Sequence, residues 1–242
     1  SRGSRRELLG QLLDDLHARG YLWARDFAFR LLISYYNNKN TPWLRDAGVS
    51  NGYQLYGGNG RARCAGWILH ALLRCHRIAK RASLPQFVTA IEQLLWFHVA
   101  KSIEAMPFIE NGQGDSPLGP TVKHYRIFMI AILVSALRRC YLLSGGSGPG
   151  APIADALDKL IAIIKAARRG PAIYAYDLAC DDAGVPYQHE KETLTNGVSG
   201  VGMWLVDAFK WKPGSELAEL VSDADAQSWK IKQPVLHATF IQ

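Results

Sequence analysis

Apolar residues recur along most of this chain with the three-to-four-residue spacing that is typical of helices. In the first such segment, predicted as a helix over residues 7–19, leucines fall on one side while Asp14 and Asp15 fall on the other. The segments 124–143 and 197–211 are instead apolar on nearly every side. Because one-faced helices belong on the outside of a domain and all-round apolar helices inside it, the pattern predicts alternating outer and inner helices.

Short turns join the predicted helices into antiparallel hairpins. The predicted pairs are 7–19 with 21–36, 61–80 with 86–104, 124–143 with 153–168, and 197–211 with 215–229. Long polar loops at 37–60, 105–122 and 170–196 precede the later inner helices. If the inner helices run parallel, all three loops lie at one end and line one common cavity.

The chain is predicted to hold one domain. Residues 7–230 form the helical part, 1–6 are a flexible start or a cloning remnant, and 231–242 are an extended tail. Four hairpins of a ring would leave inner helices with uncovered flanks, so we expect the native protein to be longer than this chain or to self-associate.

The stretch from Tyr53 to Trp67 is the joint around which the sequence is organised. A glycine-rich loop, ending in Asn59-Gly-Arg61, runs directly into a helix, and Asn59 or Gly60 can serve as its N-cap. Arg61 and Arg63 place positive charge in the first turn, where it opposes the helix dipole. This arrangement favours a site for anions or hydroxyl groups; the alternative is an ordinary capped helix with solvated arginines.

The alternation of short turn, outer helix, long aromatic loop and inner helix resembles the (α/α) toroid superfamily, which includes six-hairpin glycoside hydrolases and polysaccharide lyases. The local motif that most supports this resemblance is Tyr56-Gly-Gly-Asn-Gly-Arg61, which precedes an inner helix containing Trp67. The resemblance covers residues 7–229 and implies an all-α fold of antiparallel hairpins, arranged as a toroid or, with four legible hairpins, an incomplete toroid. It also implies that the long loops line a sugar-binding funnel.

The amino-acid composition limits the kinds of partner that the protein is expected to bind. The 242 residues carry 28 Lys and Arg against 21 Asp and Glu, a net charge of +7, which favours acidic partners. The basic residues form no block and no nucleic-acid-binding signature, so we predict no nucleic-acid partner. The longest apolar run, 127–137, is too short to span a membrane and is predicted to be a buried helix. The four cysteines form no C-x-x-C pair, and we predict no metal and no cofactor.

The loops hold the candidate chemistry. A lyase needs a base, together with arginine or asparagine to stabilise a developing carboxylate charge; hydrolysis needs two carboxylates, one from Glu110 or Asp115 and one from Glu190 or Glu192. The catalytic candidates are His124, Tyr125, His189 and Glu190. The substrate-binding candidates are Trp43, Tyr56, Asn59, Arg61, Arg63, Asp115, Tyr187 and Glu192.

The sequence therefore predicts a carbohydrate-active domain, either a polysaccharide lyase or a glycoside hydrolase, that acts on an anionic polysaccharide. Such an activity would place the protein in the periplasm or outside the cell. The alternative is a non-enzymatic helical scaffold whose long loops contact other proteins.

Overall fold

The computed structural model describes residues 15–36, 62–110, 122–170, 173–187 and 194–195. Most of these residues are helical, which confirms the predicted helical class. The helices are α1 (Leu22–Tyr36), α2 (Ala62–Arg81), α3 (Pro85–Glu104), α4 (Ile127–Ser144) and α5 (Ile153–Ala166). Residues 15–18 are also helical.

The two middle hairpins form as predicted. α2 packs on α3, α4 packs on α5, and Phe29 of α1 stacks on Phe87 of α3 with ring centroids 5.0 Å apart. The contact between His76, late in α2, and Glu92, early in α3, shows that these two helices are antiparallel. Most of the helix predicted over 7–19, the hairpin over 197–229 and the tail at 231–242 lie outside the described residues, and closure of a ring depends on them.

α4 is the centre of the core. Every residue from Met129 to Leu137 is buried, and α2 and α5 pack against it. Fully burying a leucine or isoleucine side chain contributes about 1.5–3 kcal/mol, so this helix supplies much of the driving force for folding. Among the described helices it alone is long and apolar enough to cross a membrane, but 61% of it is buried within the protein, as in a core helix. It ends where Gly145 takes a left-handed conformation (φ 64°) that suits glycine.

α2 and α4 lie side by side and run in the same direction. Near the start of both helices, the Arg63 guanidinium lies over the Phe128 ring, 6.0 Å from its centroid. One turn further, Gly66 faces Ile132 so closely that an added Cβ would lie 2.8 Å from Ile132 Cγ2. The first turns of both helices therefore lie at the same end of the molecule.

Short strands occur where the sequence predicts loops and helix ends. They are β1 (His124–Arg126), β2 (Arg168–Gly170), β3 (Ile173–Ala175), β4 (Asp177–Ala179) and β5 (Leu194–Thr195). β1 pairs with β4, and β3 pairs with both β2 and β5, all antiparallel.

Two predicted helix limits are corrected by these strands. The helix predicted from His124 begins at Ile127, and the helix predicted to end at Arg168 ends at Ala166. The backbone N–H and C=O groups around β1 instead pair with neighbouring segments. His124 exchanges two backbone hydrogen bonds with Glu110, and the Cys180 N–H donates to the Lys123 carbonyl. Such cross-strand partners replace helical ones at these residues.

Candidate functional site

Four ionisable side chains share one face of the two-stranded β1–β4 sheet and of the bridge that joins Glu110 to it. Glu110 bridges to His124 through two backbone hydrogen bonds of 2.8 and 2.9 Å, and Arg126 lies opposite Asp177 in the β1–β4 register. Because side chains alternate along a strand, His124 and Arg126 point to the same face and Tyr125 to the other. We call Glu110, His124, Arg126 and Asp177 the strand-face cluster.

Arg126 is the central cation of the strand-face cluster. Its Nε lies 3.2 Å from Glu110 Oε2 and 3.7 Å from Asp177 Oδ1. His124 Nε2 lies 3.7 Å from Asp177 Oδ2. The other ring nitrogen of His124, Nδ1, donates a hydrogen bond of 3.0 Å to the Val122 carbonyl, which can only accept. Asp177 is therefore flanked by a guanidinium and an imidazole.

Burial divides the cluster into an inner and an outer part. The side chains of Asp177 and His124 are 0% and 1% exposed, whereas those of Glu110 and Arg126 are each 16% exposed. A buried carboxylate is tolerated when a cation compensates it, which Arg126 does for Asp177. Glu110 and Arg126 form the outer, partly exposed edge of the cluster.

An aromatic pair adjoins this edge. The rings of Phe128 and Tyr176 stack with centroids 5.2 Å apart and planes 29° apart, and both residues are half-buried. Burial raises the pKa of the Tyr176 hydroxyl above its ordinary value, and the nearby charges of Arg126 and Arg63 partly oppose that shift. At neutral pH Tyr176 is thus a protonated phenol that can donate a hydrogen bond or a proton.

Tyr125 faces away from the cluster. Its hydroxyl donates a hydrogen bond of 2.7 Å to the Gly184 carbonyl, and burial raises its pKa to about 12. Tyr187 is 45% exposed, and its backbone N–H donates to the Ala179 carbonyl of β4. These contacts attach the 180–187 loop to the β1–β4 pair.

The structure brings together part of the predicted site. Arg63 lies beside the aromatic pair, His124 belongs to the strand-face cluster, and Tyr125 and Tyr187 lie around β4. The contacts of Tyr125 are those of a structural anchor, and His124 is fully buried, so the catalytic roles assigned to both stay predictions. The other predicted site residues lie outside the described ranges: Trp43, Tyr56, Asn59, Arg61, Asp115, His189, Glu190 and Glu192.

Sequence reasoning missed Arg126 as the organising group. It stands between polar residues and an apolar run, where it resembles a flanking charge. The sequence feature that could have indicated its role is the alternation of ionisable and aromatic residues in His124-Tyr125-Arg126, which fits a strand as well as the start of a helix. Across the described ranges, no three His, Cys, Asp or Glu side chains are arranged to hold a metal ion.

A scan against protein-family models and searches of curated proteins and of solved structures found no match to this chain. The strand-face cluster and the aromatic pair are the features of this chain that bear on its function.

Proposed function

We propose that this chain is a carbohydrate-active domain of the (α/α) toroid type that acts on an anionic polysaccharide, as a polysaccharide lyase or a glycoside hydrolase. The observation that carries the proposal is the half-buried aromatic pair beside two arginines, Arg63 and Arg126, at the end where α2 and α4 both begin. Sugar rings stack on aromatic faces, and guanidinium groups pair with carboxylates through two parallel hydrogen bonds. The site thus combines the two contacts that a uronic acid residue needs.

The lyase reaction fits the accessible groups better than hydrolysis does. Removal of a proton next to a uronate carboxylate builds negative charge on that carboxylate, which Arg126 or Arg63 can stabilise. Tyr176 is protonated at neutral pH and can protonate the leaving oxygen. The base would come from the predicted catalytic residues, with His189 as the candidate from the third long loop.

Hydrolysis is the other version of the same proposal. It requires two carboxylates on either side of the glycosidic bond, and Asp177 is too deeply buried to serve. Glu110 is the accessible carboxylate of the strand-face cluster, and Glu190 or Glu192 would supply the second.

The test is a screen of the purified chain on neutral and uronic polysaccharides, following both reducing ends and the ultraviolet absorbance of unsaturated products. The site variants are Arg126→Lys, Tyr176→Phe, Glu110→Gln, His124→Ala, His189→Ala and Arg61→Ala. Loss of a group that acts in the transition state lowers turnover by roughly 100-fold or more. The matched controls Arg81→Lys and Asp155→Asn change exposed residues elsewhere and should leave turnover unchanged.

Two results would count against the proposal in different ways. No activity or binding on any polymer would remove the carbohydrate assignment. Activity that all six substitutions leave untouched would keep the function and discard the site.

A second candidate function, a non-enzymatic assembly module, is favoured by one observation. Large apolar side chains cluster at the start of α1, where Trp23 is 78% exposed and Phe27 is 61% exposed, with Tyr21 and Leu22 beside them. Grouped exposed apolar residues mark interaction surfaces. We infer self-association of this chain through that surface.

Light scattering on the purified chain tests the second candidate. Trp23→Ser combined with Phe27→Ser should convert an oligomer to a monomer, whereas the control Leu142→Ser, which changes an exposed residue on α4, should not. A monomeric parent chain would overturn self-association.

A further inference from the structure

Two carboxylates lie near Nε of the Arg126 guanidinium. Glu110 Oε2 lies 3.2 Å and Asp177 Oδ1 lies 3.7 Å from Nε, and within the described ranges Nε has no partner in hydrogen-bonding geometry. An arginine carries five N–H donors in a planar fork that matches a carboxylate. The Nε–H donor of Arg126 therefore lies close to both carboxylates without a hydrogen bond to either.

The two carboxylates differ in their freedom to move. Asp177 is 0% exposed and lies directly opposite Arg126 in the β1–β4 pair, so its position is set by the strand register. Glu110 has its backbone fixed by the bridge to His124, but its side chain is at the accessible edge, 16% exposed. Asp177 holds Arg126 in place, while Glu110 can turn away without breaking the strand pairing.

We propose that Glu110 is an internal competitor for the ligand of Arg126. In the free protein its carboxylate lies beside the guanidinium, 3.2 Å from Nε, and the carboxylate of a uronic acid residue displaces it on binding. Glu110 then sets both the affinity and the selectivity of the site. This inference rests on the proposed carbohydrate function and names the chemical group that the site recognises.

Displacement of the Glu110 carboxylate predicts which sugars the site prefers. A uronate carboxylate has the same charge and planar shape as the Glu110 carboxylate, so it restores the contact that Glu110 gives up. A neutral sugar brings no charge to replace the Glu110 carboxylate, so displacing Glu110 would lose an ion pair at a partly buried guanidinium without compensation. A sulfate ester carries the charge without the planar two-oxygen geometry of a carboxylate.

The test measures binding by isothermal titration calorimetry for three probes: oligogalacturonate, a sulfated dextran oligosaccharide and a neutral cello-oligosaccharide. The proteins are the parent chain, Glu110→Gln, Arg126→Gln and the double variant, with Asp155→Asn as the control for loss of one exposed negative charge. Glu110→Gln should bind oligogalacturonate about twofold to fivefold more tightly, the range expected for removing a competing ion pair near the surface. Asp155→Asn should leave that affinity unchanged.

The double variant separates competition at Arg126 from a general charge effect. If Glu110 acts through Arg126, the gain from Glu110→Gln disappears when Arg126 is already glutamine. Arg126→Lys keeps the charge but loses the fork, and it should also weaken oligogalacturonate binding, which guards against a folding defect in Arg126→Gln. Circular dichroism of each variant verifies that the helices are retained.

Four outcomes would overturn the inference. A gain that persists in the Arg126→Gln background would reduce Glu110 to a general charge effect. Unchanged affinity with lost turnover in Glu110→Gln would make Glu110 a catalytic acid and leave the proposed function intact. Binding or turnover of neutral polymers alone would also keep the carbohydrate function while removing uronate recognition; absence of any binding by every variant would remove both.

Discussion

Substitution of Gly66 by alanine tests the contact that brings the first turns of α2 and α4 together. A Cβ on Gly66 would lie 2.8 Å from Ile132 Cγ2 and 3.0 Å from two backbone atoms, the carbonyl carbon of Ile132 and the nitrogen of Leu133. Real Cβ atoms do not approach other atoms at 2.8 Å, so one helix must move. The backbone atoms belong to the interior of α4 and cannot rotate away as a side chain could.

Two opposing contributions set the change in unfolding free energy expected for Gly66→Ala. Alanine is favoured over glycine in a helix interior by about 1 kcal/mol. Overpacking of a well-packed core costs about 1–3 kcal/mol, and contact with backbone places Gly66 towards the upper part of that range. The expected net loss is about 1–2 kcal/mol of unfolding free energy, or about 2–4 °C in Tm for each kcal/mol in a chain of this size.

Urea unfolding followed by circular dichroism measures this loss. Thr89→Ala is the control, since Thr89 is exposed within α3 and its replacement should change the unfolding free energy by less than about 0.5 kcal/mol. Ile132→Ala removes the nearest atom, so the double variant should lose less stability than the sum of the two single losses. A Gly66→Ala protein as stable as the parent would refute the close approach of α2 and α4, and with it the shared end that holds the site.

Three further results are expected. Leu133→Ala, at a fully buried position, should cost about 2–5 kcal/mol in thermal or urea unfolding, whereas Leu142→Ala, at an exposed position on the same helix, should stay within about 0.5 kcal/mol; equal losses would contradict the burial of α4. Burial raises the pKa of the Tyr125 phenol to about 12 from its ordinary value near 10. Its protonated form therefore stabilises the fold below pH 10, and that contribution is lost as the pH rises towards 12. Tyr125→Phe should remove this part of the alkaline unfolding profile, and an unchanged profile would contradict the reasoning. A thiol reagent should label half-buried Cys64 in the native protein before Cys140, because complete burial shields the Cys140 thiol and raises its pKa. Mass spectrometry of labelled peptides measures the two rates, and equal rates would contradict the packing around Cys140.

The sequence could predict the helices because their signals are local. The apolar run after Arg126 and the glycines at 145–150 specify α4 and its end without reference to any other part of the chain. The predicted hairpin over 61–104 also forms, since Ser83-Leu-Pro85 is a recognisable break. Periodicity and turn residues carried enough information for these elements.

The strand-face cluster could not be predicted in the same way. Its strands are three residues long, too short for an alternating pattern to stand out within a helical chain. Glu110, Arg126 and Asp177 come from separate segments and meet only because β1 pairs with residues on both sides. The sequence indicates Glu110 as a loop carboxylate, but its pairing with Arg126 depends on tertiary register, which no local signal specifies.

The alternation within β1 places two different requirements on neighbouring residues. Tyr125 anchors the 180–187 loop, while His124 and Arg126, on either side of it, present the ionisable groups. An insertion or deletion of one residue here would exchange the two faces, so that the guanidinium would meet the 180–187 loop and the phenol would meet the carboxylates. Substitutions at His124 and Arg126 can therefore change the ionisable face while the loop anchor stays in place, whereas a change in the length of the strand alters both.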